Sequence, residues 1–200
     1  MFMTLLHGLP CRQALLSGLG SPTYACVRAH GAQVASMSVV THKIMMVCLG
    51  NICRSPMAAA VLDNKAREAG LAIEVASSGT ASWHAGDGPN EMSHLVWSDA
   101  GYVYDHTAAH FTPEMFDAYD LILVMDHSNY ADVIAQATRD EHHAKVRFLR
   151  SFDPALEEID HQGPDGDHLV VPDPWSLPRS EFEAVLKMIE KSVDGLLLTL

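Results

Sequence analysis

Acidic residues are missing from positions 1–40 of this chain, cysteine is scarce, and no apolar run is long enough to span a bilayer. Each deficit excludes something. Cys11, Cys26, Cys48 and Cys53 are too few and too unevenly spread for a disulfide-stapled scaffold. No two of them have the C-x-x-C spacing of a zinc ribbon or a thioredoxin-type pair. The expected location is therefore a reducing one, the cytoplasm. An excess of basic charge is also absent. Lys and Arg number 13 against 25 Asp and Glu, a formal net charge of −12, which repels nucleic acid and anionic membrane surfaces alike. With 48% apolar and 19% charged residues, the chain reads as one globular domain, expected to be monomeric, with a tail left over.

The tail is residues 1–42. It holds Arg12, Arg28 and several histidines without a sustained helical or strand period, and it lacks the apolar stretch and cleavage pattern of a signal peptide. It is read as a flexible extension or as upstream codons, with Met37 a sensible alternative start. Residues 43–200 are regular. Ile44 to Leu49 is a continuous apolar run, as a strand buried on both faces requires. After Gly50-Asn51 a helix starts near Ser55-Pro56, with proline in the first turn, and closes at Gly70. Ile73–Ala76, Asp120–Met125 and Val146–Leu149 read as further strands. Helices are expected over 89–101, from Thr112 as N-cap, over 128–137 and over 180–197; the stretch 153–171 reads as a polar loop. Strands alternating with helices predict an α/β domain, a four-stranded, mostly parallel sheet flanked by helices on both faces. In such folds the ligand site lies beyond the carboxyl ends of the strands.

There stands Cys48-Leu49-Gly50-Asn51-Ile52-Cys53-Arg54-Ser55, a C-x5-R motif on the turn between the first strand and the first long helix. Gly50 and Asn51 tolerate the positive φ that folds successive N–H groups into an anion-binding concavity. The helix N-terminus adds unpaired N–H groups and roughly half a positive charge. Arg54 offers a planar fork that fits two phosphate oxygens. The same field favours a thiolate at Cys48, and the Ser55 hydroxyl is placed to donate to it. As an ordinary buried thiol Cys48 would leave Arg54 and the Gly-Asn pair without a purpose.

Val47 to Pro56 resembles the signature of the low-molecular-weight protein tyrosine phosphatases. The resemblance runs from about Ile44 to the last helix, through Ser77-Ser78-Gly79-Thr80, Trp83, His106, Thr112, Met125-Asp126, Ser128-Asn129 and Asp173-Pro174-Trp175. It implies a phosphate-binding loop after the first strand and a reaction through a cysteinyl-phosphate on a phosphotyrosine protein or small aryl phosphate, with no metal or other cofactor. Cys48 is then the nucleophile, Arg54 the transition-state clamp and Asp173 the general acid. His106 has a supporting role. Pro172 and Pro174 stiffen the backbone around Asp173, though many other carboxylates lie nearby. Trp83 and Trp175 are read either as a sandwich for the phosphotyrosine ring or as core packing. Related protein-arginine phosphatases carry threonines where this loop has Leu49 and Ile52, so the aliphatic pair favours tyrosine. Cys53 is read either as a disulfide partner for the oxidised nucleophile or as a space-filling residue.

Two features depart from the family pattern: Ser176-Leu177 stands where an aromatic residue and glycine are common, and the 153–171 loop looks long. The histidines of Asp140-Glu141-His142-His143 read as solvated loop residues, because metal-ligand spacing is absent. An arsenate reductase of the same fold needs further redox cysteines, and none follows Cys53. The remaining alternative is a non-catalytic phosphate- or phosphopeptide-binding module, which turnover would exclude.

Overall fold

The computed structural model describes residues 41–200; the expected extension, up to residue 40, lies outside the described residues. Strand β1 (His42–Cys48) occupies the middle of the sheet, paired with β2 (Ile73–Gly79) on one side and β3 (Leu121–Val124) on the other, and β4 (Val146–Phe148) closes the far edge. All three pairings are parallel, and Cys48 faces Gly79 in register.

The apolar run of β1 is explained by burial on both faces. Ile44 and Met46 point into one core with Met57, Val61, Trp97, Phe182 and Ile189. Met45 and Val47 point into the other, with Phe111, Phe116, Ile122 and Phe148. Helices α1 (Arg54–Ala69), α2 (Glu91–Asp99) and α6 (Arg179–Leu197) supply the first core. Helices α3 (Met115–Ala118) and α4 (His127–Ile134) supply the second. On α6, Phe182, Val185, Ile189, Val193 and Leu196 form one buried stripe. Truncating Ile189 to alanine would remove about 2–5 kcal/mol.

Punctuation fell largely where the residues dictate. Gly70 ends α1 at φ 69°, a conformation that favours glycine, with its N–H bonded to carbonyls of the last turn. Asn90 and Asp126 cap α2 and α4 by accepting from the N–H three residues on. Two local expectations need correction, and a third gains detail. Thr112 is not the N-cap of α3, which begins at Met115 after a turn in which the Met115 N–H donates to the Thr112 carbonyl. Residues 140–145 are not a solvated loop but a helix, α5 (Asp140–Lys145), whose His142 is 3% exposed and stacked on Phe116 at 4.5 Å. The 153–171 stretch is a loop with a 3-10 turn at Gly166–Leu169, anchored by Leu169 and Val171 in the two cores.

Candidate active site

The loop between β1 and α1 turns sharply because one residue takes up positive φ. That residue is Asn51, at φ 55°; Gly50, expected to share this conformation, does not. Asparagine tolerates the left-handed region better than most residues, and here its side chain is fully used. Asn51 Nδ2 donates to Ser55 Oγ (2.8 Å) and Ser77 Oγ (2.9 Å), while its Oδ1 accepts the Ala109 N–H (2.8 Å). Its carbonyl is 2.7 Å from His106 Nε2. Burial lowers the His106 pKa against the effect of that bond, so the ring is neutral and donates. A Cβ on Gly50 would lie 3.1 Å from the His84 ring, which would have to give by a few tenths of an ångström to admit it.

Beneath the loop, β2 runs on to Gly79, and the backbone continues the clamp. Thr80 and Ala81 donate to the carbonyls of Cys48 and Leu49, both at 2.9 Å. A Cβ on Gly79 would meet the Leu49 carbonyl oxygen at 2.6 Å and the Asn51 nitrogen at 3.0 Å, so only glycine fits under the turn. Among the described residues, no backbone N–H from Gly50 to Ser55 donates to a protein acceptor. Six successive amides without a protein acceptor at the start of a helix are the makings of an anion receptor.

Cys48 and Ser55 meet across this receptor, Sγ to Oγ 3.0 Å, and Ser55 is fixed by Asn51 and the Ser78 carbonyl. Arg54, 3% exposed, reaches the same place from the first turn of α1. One guanidinium nitrogen donates to Asp126 Oδ2 (2.6 Å) and the Val171 carbonyl (3.2 Å), the other to Asp173 Oδ2 (2.8 Å). Its buried Nε has no protein partner among the described residues. Burial opposes the charge on Arg54, but Cys48, Asp173 and Asp126 overcome it and hold the guanidinium more firmly protonated. Asp126 is likewise buried, yet the Asn129 N–H and Arg54 lower its pKa below the usual carboxylate value. Cys53 is pushed up to about 12, first by burial and then by Asp173 and Cys48, so it stays a thiol. Cys48 and Cys53 are both free.

Above the receptor opens a pocket of about 270 Å³ walled by Leu49, Gly50, Ile52, Cys53, Trp83, His84, Asp173 and Trp175, with Cys48 and Arg54 at its base. Trp83 and Trp175 are 68% and 61% exposed, so neither is core packing. The acid loop turns through Ser176 at φ 64°, and the Trp175 N–H donates to Asp173 Oδ1 (3.1 Å). The candidate residues Cys48, Arg54, Ser55 and Asp173 thus come together, with Asn51 and His106 one step behind. Sequence reasoning named Gly79 and Asp126 as family matches without a role, and did not single out His84. Asp126 carried a usable signal, since it follows β3 at the carboxyl end of the strand next to β1. Among the described residues no three His, Cys, Asp or Glu side chains cluster to hold a metal, and no helix is long and apolar enough to cross a membrane.

Cys48, Arg54 and loop amides without protein acceptors stand together at the carboxyl edge of a parallel α/β sheet, with the Asp173 carboxylate at the same pocket. The family model for low molecular weight phosphotyrosine protein phosphatase matches residues 43–200, and the chain belongs to that family. It is similar to a low molecular weight protein-tyrosine-phosphatase of Streptomyces coelicolor, 39% identical over 160 residues that span 79% of this chain and 93% of that one. Among solved structures, a protein tyrosine phosphatase from Entamoeba histolytica is 27% identical with a TM-score of 0.70, covering 79% of this chain and 96% of its own. A Drosophila arginine phosphatase is 25% identical with a TM-score of 0.69, covering 78% and 96%.

Proposed function

We propose that the protein hydrolyses phosphotyrosine in proteins, and small aryl phosphates, through a covalent cysteinyl-phosphate. The observation that carries this reading is that Cys48, Arg54 and a loop whose 50–55 amides have no protein acceptor line one pocket. The phosphoryl group sits in the amide receptor with two oxygens on Arg54, displacing the guanidinium's present bond to Asp173. Cys48 Sγ attacks phosphorus in line as the bond to the phenolic oxygen breaks, and the amides and Arg54 gather the charge. Asp173, released from Arg54, protonates the departing oxygen. In the second step Asp173 takes a proton from water, which attacks phosphorus and releases the Cys48 thiolate to the Ser55 hydroxyl 3.0 Å away.

The aromatic walls of the pocket support an aryl substrate: a phenyl ring between Trp83 and Trp175 gains stacking of about 0.5–1.5 kcal/mol beyond its burial. The fold does not choose between phosphotyrosine and phosphoarginine, since both kinds of enzyme resemble it. Leu49 and Ile52, aliphatic at the pocket wall, favour the apolar ring over a guanidinium. Free thiols at Cys48 and Cys53 suit a reducing compartment, and a cytoplasmic monomer belongs to the same reading, as does a catalytic unit that excludes residues 1–42.

The test is hydrolysis of an aryl phosphate and a phosphotyrosine peptide with chelator and reductant present, comparing wild type with Cys48→Ser. Activity that survives the chelator and disappears in the variant supports the mechanism. Wild-type protein that binds phosphate and turns nothing over would leave a binding module instead.

A further inference from the structure

Asp173 stands on a segment with few ties of its own. Pro172 and Pro174 have no N–H to donate. Among the described residues, the backbone bonds donated by 172–177 stay within the segment: Trp175 N–H to Asp173 Oδ1 (3.1 Å) and Leu177 N–H to the Pro174 carbonyl (2.9 Å). Downstream, Arg179 meets Asp99 at 2.8 Å, but both side chains are exposed, and a surface pair of this kind holds little.

The ties to the body of the domain lie upstream, at Val170 and Val171. The Val171 N–H donates to the carbonyl of Met125, just past β3, at 2.7 Å, and its side chain is fully buried. Arg54 donates to the Val171 carbonyl (3.2 Å) and to Asp173 itself (2.8 Å). Those two bonds come from the group that phosphate has to claim. Arg150 supplies one that does not: its guanidinium donates to the Val170 carbonyl at 3.0 Å.

Arg150 is held for this task by its own surroundings. It sits, partly buried, in the 3-10 turn Leu149–Phe152 that follows β4, with Leu149 in the first core. The Asp153 N–H closes that turn on the Arg150 carbonyl (3.1 Å), and the Asp153 side chain is itself buried. Burial disfavours the charge on Arg150, and the Asp153 carboxylate acts against that loss, so the guanidinium stays a cation. A cation drawn out of water needs an acceptor. The one this guanidinium finds lies three residues before Asp173.

We propose that Arg150 is a positioning residue, which keeps the segment carrying Asp173 at the pocket once phosphate has drawn Arg54 away. The proposal rests on the general-acid reading of Asp173 given above. Arg150 does not line the pocket and acts through the backbone, by fixing the chain that leads through Val171 and Pro172 to the acid. The 153–171 loop thereby gains a part, since its last turn, Gly166–Leu169, delivers Val170 to Arg150.

The test compares, in the full chain, single-turnover release of phenol from phenyl phosphate with release of p-nitrophenol from p-nitrophenyl phosphate. Only the first leaving group needs a proton, and the ratio of the two rates cancels any loss of folded protein. Arg150→Met keeps the apolar stem and removes the donor. It should slow phenol release by about tenfold, part of the roughly 10²–10⁴-fold effect of proton delivery, and leave p-nitrophenol release within about twofold of wild type. Arg150→Lys, which keeps a cationic donor, should restore most of the phenol rate. In an Asp173→Asn background Arg150→Met should change the ratio no further, because the acid it places is gone. Equal effects on both substrates, no effect on either, or a further change of the ratio in the double variant overturns the assignment. Should Arg150→Met fail to fold, Arg150→Gln, too short to reach the carbonyl, is read by the same ratio. If Asp173→Asn alone leaves the ratio as in wild type, the general-acid reading fails and this assignment fails with it.

Discussion

At the scale of single residues, the proposed mechanism divides the site into groups that touch phosphate and groups that hold those in place. Asp173 belongs to the first set. Asp173→Asn removes proton delivery and should slow the first step, read as single-turnover release of phenol, by about 10²–10⁴ on phenyl phosphate. The loss in that step should be much smaller for p-nitrophenyl phosphate, whose leaving group needs no proton. Equal losses in that step on both substrates would show that the carboxylate serves binding instead. Asp126 belongs to the second set, through its 2.6 Å bond to Arg54. Its other oxygen caps α4, a task asparagine performs equally well, so Asp126→Asn isolates the contact with arginine. The expected cost is about 1.5–3 kcal/mol of stability, from a bond between charged groups. Because the folded-state pKa lies below the unfolded value of about 3.9, this stabilisation is complete above that value. It fades as pH falls through the folded-state pKa. Urea midpoints of wild type and variant should therefore differ at neutral pH and converge in strong acid; a constant gap would show that charge is not the cause.

At the scale of elements, the catalytic loop is shaped as much by β2 as by its own sequence. Gly79 lies under the turn, and in Gly79→Ala the new methyl would press on backbone atoms at 2.6–3.0 Å, which cannot swing aside as a side chain can. The loop must shift. Overpacking of this kind costs about 1–3 kcal/mol, and an ångström of displacement in the receptor about 10²-fold in rate. Thermal melting and kcat measured on the same sample check both, and wild-type kcat would mean that the loop does not depend on this support. The same element explains which parts of the structure were legible in sequence. The C-x5-R turn, the apolar run of β1, Gly70 and the stripe on α6 are local signals, since each is written in neighbouring residues. Helix α5 was not legible, because a six-residue segment with two adjacent histidines has no period to read. What makes it a helix is His142 lying on Phe116, a contact between distant parts of the chain. Nor does sequence distinguish Asn51 from Gly50 as the residue at positive φ; the choice is made by Ser77 and Ala109, which bind the asparagine side chain. Trp83 and Trp175 left core packing open until their exposure at the pocket excluded it.

At the scale of the whole molecule, a net charge of −12 surrounds a site that must admit a dianion. Two ranges of distance are involved. The surface carboxylates act across many ångströms of water, and their repulsion is screened once the Debye length falls from about 30 Å at 0.01 M salt to about 8 Å at 0.15 M. The loop amides and Arg54 act at contact in a partly buried receptor, where salt screens far less. Added salt should therefore weaken the repulsion more than the attraction, and kcat/KM for a phosphotyrosine peptide should rise over this interval while kcat stays level. Residues 1–40 contribute Arg12 and Arg28 and no acidic side chain, so a chain beginning at residue 41 would be still more negative, and its rate should climb more steeply with salt. Its kcat should match that of the full chain, because β1 begins at His42 and, among the described residues, both cores are complete sets packed around the sheet. A kcat/KM that falls with salt would mean instead that the positive field of the receptor extends beyond the pocket mouth and steers substrate inward despite the charge around it.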